Sequence, residues 1–283
     1  MVLILAAVVA GVGTRSSLGK DWPALPGEPA AQQPQLAAGS GASDVPGAAA
    51  PGRAGATGQA SAPQAAPSQT TAAPQVTPSA ALLQEPGPVP ARGSGQFEYA
   101  PGTGEVLGRA GTLRRYRVAV EREAGEDPAT FAAMVDRVLG DPRSWPASGR
   151  LRLQRVPRTA AHDFTIHLAT PETAARMCAA AGVDIRVDGQ PYTSCRTTGR
   201  VIINLERWRH SVPHIVEAQV PLETYRTYVI NHEVGHELGY GHERCPGPRR
   251  PAPVMMQQTL FLNGCQVNPW PYRDGRRYAG PRV

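Results

Sequence analysis

The chain has 283 residues, a formal net charge of +6 and 41 % hydrophobic residues, which allows one or two folded domains. Lys20 is the only lysine, so nearly all of the positive charge is arginine. The arginines are scattered rather than striped and accompany no nucleic-acid motif, which argues against nucleic-acid binding and leaves weak attraction to an anionic cell envelope.

Residues 2–12 form an apolar run broken only by Gly11. As a helix it would span roughly 17 Å, short of the ~30 Å hydrocarbon core. Residues 1–20 therefore read as a signal peptide or a signal anchor, with N-terminal membrane contact and export as the expectation. Residues 21–95 are dominated by Ala, Pro, Gly, Gln and Ser. Such a stretch buries too little apolar surface to offset its ordering entropy and reads as a disordered linker. Residues 96–283 remain for a single folded domain, long enough for a proper core. Arg15, Lys20, Arg53 and Arg92 balance Asp21, Glu28, Asp44 and Glu85 in the first 95 residues, so the net charge sits on that domain.

Within the domain, residues 113–121 alternate like a strand. Asp127 and Pro128 supply an N-cap and a first helical residue for a helix to about Leu139, with Phe131, Met134, Val135 and Val138 at helical spacing. Residues 151–156 and 163–169 read as two strands, residues 171–181 as a short helix and residues 201–205 as another strand. A loop carrying His210 and His214 leads to a long helix over residues 221–238, followed by a tail rich in Pro and Gly. This order predicts an α+β domain, a mixed sheet with helices packed on it.

The four cysteines, Cys178, Cys195, Cys245 and Cys265, all fall in the domain and allow three pairings. The local pairs Cys178–Cys195 and Cys245–Cys265 close loops of about 20 residues, each worth on the order of 3 kcal/mol in the chain-entropy model. Structural disulfides fit an exported chain. A competing reading makes Cys245, three residues after His242, a metal ligand.

The stretch His232-Glu233-Val234-Gly235-His236-Glu237-Leu238-Gly239-Tyr240-Gly241-His242 carries the chemistry. Residues four apart on a helix lie about 40° apart in rotation and ~6 Å apart along the axis, so His232 and His236 can reach one ion. A continued helix would carry His242 roughly 280° round and ~15 Å along from His232. A third ligand at this spacing needs the helix to stop, and Gly239 supplies the break because glycine takes positive φ without steric cost. Three neutral imidazoles make an open zinc site, expected to take one catalytic Zn²⁺, with Glu233 placed as general base.

The pattern resembles the metzincin clan of zinc peptidases, whose extended motif has these residues at this spacing. That clan also places a methionine in a tight turn beneath the metal, and Val254-Met255-Met256-Gln257-Gln258 looks like that turn, with Met256 the favoured residue and Met255 the alternative. The resemblance implies a zincin-like fold: a twisted mixed sheet, a long active-site helix and a short C-terminal subdomain. Glu243 follows the third histidine as in the astacin-type branch, whereas no Tyr follows the Met turn as it does there. The whole folded part is similar to a domain-of-unknown-function family of exported actinobacterial zincin-like proteins.

In zincins a substrate often adds as a strand along an exposed sheet edge. By resemblance Val201, Ile202, Ile203, Asn204 and Leu205 form that edge; as residues alone they equally suit an interior strand. Tyr240, Arg244 and Tyr272 are candidates for oxyanion stabilisation, and His210 and His214 for a second metal or a solvated loop. The resemblance implies an exported zinc endopeptidase acting on a protein or peptide substrate of the envelope or exterior. Its competitors are a zinc amidohydrolase acting on a cell-wall amide and a catalytically silent envelope-binding module.

Overall fold

The computed structural model describes residues 81–283; the apolar run at 2–12 and the linker as far as residue 80 lie outside the described residues. The first half of the domain runs β1 (Phe97–Tyr99), β2 (Val106–Leu107), β3 (Thr112–Glu121), α1 (Pro128–Gly140), β4 (Leu151–Arg155), β5 (Phe164–Ala169) and α2 (Pro171–Ala179). The second half runs β6 (Arg186–Val187), β7 (Gln190–Pro191), β8 (Cys195–Thr197), β9 (Arg200–Asn204), α3 (Leu205–His210), α4 (Pro213–Glu217), α5 (Leu222–Glu237), β10 (Tyr272–Arg273) and β11 (Arg276–Arg277). This is the α+β architecture expected from the sequence.

The main sheet is mixed, with strand order β2-β4-β3-β5-β9-β8, and β1 pairs with the second half of β3. Strands β4, β3, β5 and β9 are parallel to one another, whereas β1, β2 and β8 run antiparallel to the strands they pair with. Because side chains alternate across a strand, each strand divides its residues between two layers. Tyr116, Val118 and Val120 of β3, Phe164, Ile166 and Leu168 of β5, and Val201 and Ile203 of β9 join one core with α1 and α5. We call this the front. Ala169 and Ile202 join a smaller core behind the sheet with Ala174, Ala175 and Cys178 of α2.

Local chemistry explains the helices. Asp127 caps α1, its Oδ2 accepting from the Thr130 backbone N–H at 2.7 Å, with Pro128 in the first helical position. Helix α5 is buried at every residue from 227 to 235, as expected of a core helix rather than a surface one. Asn231, His232 and Glu233 therefore sit where polar groups are costly unless they are used. No helix among the described residues is long and apolar enough to cross a membrane.

Two expectations are corrected here. Strand β9 lies between β5 and β8 and is interior, and Leu205 opens α3 rather than ending the strand; the edge on that side is β8. Ordered structure also starts before Gly95. Leu82 C=O accepts from Leu222 N, Glu85 N donates to Arg209 C=O, and Ala91 C=O accepts from Glu172 N. Composition hid this, because that segment is held chiefly by bonds to α2, α3 and α5, with Val89 packed against the core.

Behind the sheet, His167 on β5 is buried, and burial followed by the nearby Arg200 charge lowers its pKa to about 4 from an ordinary 6.5. The unfolded chain thus binds a proton that the folded chain refuses between those two pH values. Stability is fully present above about pH 6.5 and is lost as pH falls to about 4, by roughly 3 kcal/mol for a shift of this size. Urea melts across that window should show the slope, and His167→Gln should flatten it; an unchanged slope would place the acid sensitivity elsewhere.

Candidate metal centre

Helix α5 carries His232 and His236 one turn apart, and it ends where the sequence requires. Leu238 is the last residue with helical geometry and Gly239 takes φ +95°. Gly239 N–H then donates to His236 C=O and Tyr240 N–H to Gly235 C=O, at 3.1 and 3.0 Å. These are the two bonds of a Schellman cap, which satisfies the last carbonyls and reverses the chain. The reversal returns His242 to the helix, and the ligand nitrogens of His232, His236 and His242 lie within 4.8 Å of one another.

Hydrogen bonds on the far side of two rings decide what those nitrogens can do. His232 Nδ1 contacts Val254 C=O and His236 Nδ1 contacts Tyr240 C=O, each at 2.8 Å. A carbonyl only accepts, so each Nδ1 carries the proton and each Nε2 presents a bare lone pair. Burial, first among the causes, holds both rings neutral: His236 falls to about 4 and His232 well below its ordinary value. His236 Nε2 lies 3.2 Å from His232 Nε2 and 3.1 Å from His242 Nε2. Two unprotonated nitrogens at that separation repel unless a cation lies between them. Tetrahedral bonds of 2.0–2.1 Å place such nitrogens roughly 3.3 Å apart. The donor set fits a metal ion.

Glu233 points into the same cavity of about 550 Å³, which is also lined by Thr193, Ser194 and Arg196 near the β8 edge and by Tyr228, Thr259 and Leu260. Burial pushes its carboxyl up to about 8. Of the three oxyanion candidates, Tyr240 lines this cavity, its ring stacked on Trp145 at 4.5 Å, while Arg244 and Tyr272 do not line it.

The turn at 254–256 passes beneath α5. Its Val254 C=O holds the His232 ring, and Met255 packs against Gly235, where an added Cβ would overlap the Met255 Sδ and the Trp145 ring. Met256, favoured by the sequence, instead joins Ala252 and Cys265 in a side cluster. Met255 is thus the methionine beside the ligand helix. Cys178–Cys195 and Cys245–Cys265 are both disulfide-bonded, so Cys245 is no ligand. The first ties α2 to β8, and the second closes the loop that carries the turn. His210 ends α3 and His214 lies on α4, neither in a loop. They bond to different partners, Glu206 with Gly87 C=O and Gln258 C=O respectively, and form no second metal group among the described residues.

Several positioning residues escaped the sequence. Glu237, the last helical residue, is buried and bridges Arg114 of β3 (2.9 Å) and Arg196 of β8 (2.7 Å), pinning the helix end to both halves of the sheet. An acid is unfavourable at a helix C-terminus, and the two guanidinium groups offset it. Asn231 is fully buried; it accepts from Ser144 Oγ, donates to Pro269 C=O, and its own carbonyl accepts from Trp145 Nε1. Glu243 and Arg277, both nearly buried, pair at 2.9 Å and hold the His242 loop to the β10–β11 hairpin. Only Glu243 carried any sequence signal, through its place beside the third histidine.

Fold and site together define a mixed α+β domain with a three-histidine group, His232 buried and the other two partly so, able to hold a metal ion. The chain belongs to the family described as a protein of unknown function (DUF3152), whose model matches residues 83–273. No curated protein and no solved structure matches it.

Proposed function

We propose that the domain is a zincin-like, exported zinc endopeptidase, with His232, His236 and His242 as zinc ligands and Glu233 as general base. The observation that carries the reading is the bare Nε2 pair of His232 and His236, 3.2 Å apart, in one cavity with the Glu233 carboxylate. A zinc ion there supplies Lewis acidity, polarising the scissile carbonyl and making water nucleophilic at neutral pH. The Glu233 carboxylate takes the proton from the attacking water and returns it to the leaving nitrogen. The Val254 and Tyr240 carbonyls keep the two helix-borne rings in the ligating tautomer throughout.

Strand β8 favours a peptide over a non-peptide amide. It ends the main sheet beside the cavity, so its outer backbone groups face no strand of that sheet. An extended peptide can add there by main-chain hydrogen bonds. The two disulfides suit an oxidising, extracytoplasmic setting.

The deciding experiment incubates the zinc-loaded full chain with a broad peptide library and reads new termini by mass spectrometry. Cleavage that disappears on chelation and returns with zinc is the expected result. Stoichiometric zinc with no cleavage would move the chain to the silent binding module.

A further inference from the structure

A second cavity, of about 530 Å³, lies behind the sheet, on the face opposite α5. The strand register builds its floor. Arg117 of β3, Thr165 of β5 and Arg200 of β9 stand in one cross-strand row, and Tyr99, Ala119 and His167 stand in the next. Ala119 leaves room between its larger neighbours. Helix α2 supplies one wall through Thr173, Arg176 and Met177, and Phe97 supplies another, its ring edge-on to His167 at 5.0 Å.

The charge of this cavity is unbalanced. Some arginines elsewhere are paired, as in Arg137–Glu223, Arg155–Asp136 and Arg209–Glu126. Arg117, Arg176 and Arg200 make no ion pair among the described residues, and no carboxylate lines the cavity. Three acids belong to this region and each is committed, Glu123 to Ser94. Asp163 accepts from the Arg115 backbone N–H, and Glu121 accepts from Gly95 N, from Thr170 N and Oγ1, and from Thr173 Oγ1. Buried groups here also lack partners: Arg117 Nε and His167 Nδ1 make no hydrogen bond. His162 and His167, which also line it, have their pKa values lowered by burial first and by Arg117 and Arg200 second, with Asp163 opposing at His162.

We propose that this rear cavity binds an organic phosphate, its phosphoryl group held by Arg117, Arg176 and Arg200 and its apolar body lying against Phe97, Tyr99 and Met177. Three guanidinium groups with no acid among them suit a dianion better than a monoanion, and the guanidinium fork matches phosphate oxygens. The volume is that of a small-molecule site. The phosphoryl group can belong to a soluble molecule or to a lipid headgroup.

The test is calorimetric titration of the full chain with phenyl phosphate, inorganic phosphate and benzoate, each with and without prior chelation of metal. Phenyl phosphate is expected to bind saturably, once per chain, more tightly than the other two and unaffected by chelation. Arg200→Ala, at an exposed side chain, should weaken it by about tenfold or more while leaving the ligand-free unfolding temperature unchanged. Arg176→Ala, which also loses its bond to Thr173 Oγ1, should weaken binding by a similar factor. Displacement of phenyl phosphate by phosphatidic acid vesicles identifies a lipid headgroup as the source, and its absence a soluble phosphate. No saturable binding, equal affinity in parent and both variants, or binding that chelation abolishes would overturn the proposal. Equal affinity for phenyl phosphate and inorganic phosphate would remove the apolar wall from it.

Discussion

Glu233→Gln is expected to lower hydrolysis by about 10²–10⁴-fold, the usual worth of a general base, while the protein keeps its metal. The side chain is nine-tenths buried at the wall of the histidine cavity, and no hydrogen bond to it is found among the described residues. A buried carboxylate without a structural partner is costly, so its presence has to be repaid by chemistry. Burial raises its proton affinity, to about 8, which is the direction a base working near neutral pH needs. Glutamine keeps the shape and removes the basicity, and the two helix-borne rings are held by the Val254 and Tyr240 carbonyls. Metal content by mass spectrometry and cleavage of a peptide found in the library screen give the two readouts. Equal cleavage by both proteins would sink the mechanism; loss of metal along with activity would make Glu233 structural.

The second large effect concerns a residue with no side chain. Gly235 lies between the two helix-borne histidines, and a Cβ there would overlap Met255 and Trp145. Gly235→Val should therefore destabilise the domain by about 1–3 kcal/mol through overpacking, although glycine is itself a poor helix former. For a domain of this size that is a fall in unfolding temperature of roughly 2–4 °C per kcal/mol. Zinc affinity should fall as well, since the helix must move off the turn whose Val254 carbonyl orients His232. Met255→Ala alone opens a cavity in the core and is costly for another reason, by about 2–5 kcal/mol. Combined, the two should cost less than their sum, because the smaller residue makes room for the larger. Strict additivity in thermal melts of the four proteins would show that Gly235 and Met255 do not share this contact.

The histidine group was legible because it is local. Eleven consecutive residues hold a helical repeat, a glycine suited to positive φ and a third histidine after the break, and all three act within two turns of chain. The α1 cap at Asp127 and the alternation in β3 were readable for the same reason. The local cysteine pairing was also readable, since loops of that length close easily. The choice between the two methionines was not, because adjacent residues in a turn point apart and only the position of α5 above selects Met255. The sheet edge was placed on β9, whose apolar run suits a strand at either position, and the structure puts that strand in the interior. Strand β8 has three residues, too few to show a period of two. Glu237 carried no sequence signal of its role, because its partners Arg114 and Arg196 come from strands 123 and 41 residues away in sequence.

The sequence by itself thus determined which histidines converge, where the helix stops and that a mixed sheet lies beneath it. Each of those depends on backbone geometry over a few residues. Only the tertiary structure decided which strand is the edge, which methionine supports the helix, and that a second, arginine-lined cavity lies behind the sheet. Edge and interior differ by a neighbour rather than by composition, and a cavity is a property of side chains brought together from separate strands. Such facts are set by long-range packing, which no short window of sequence contains.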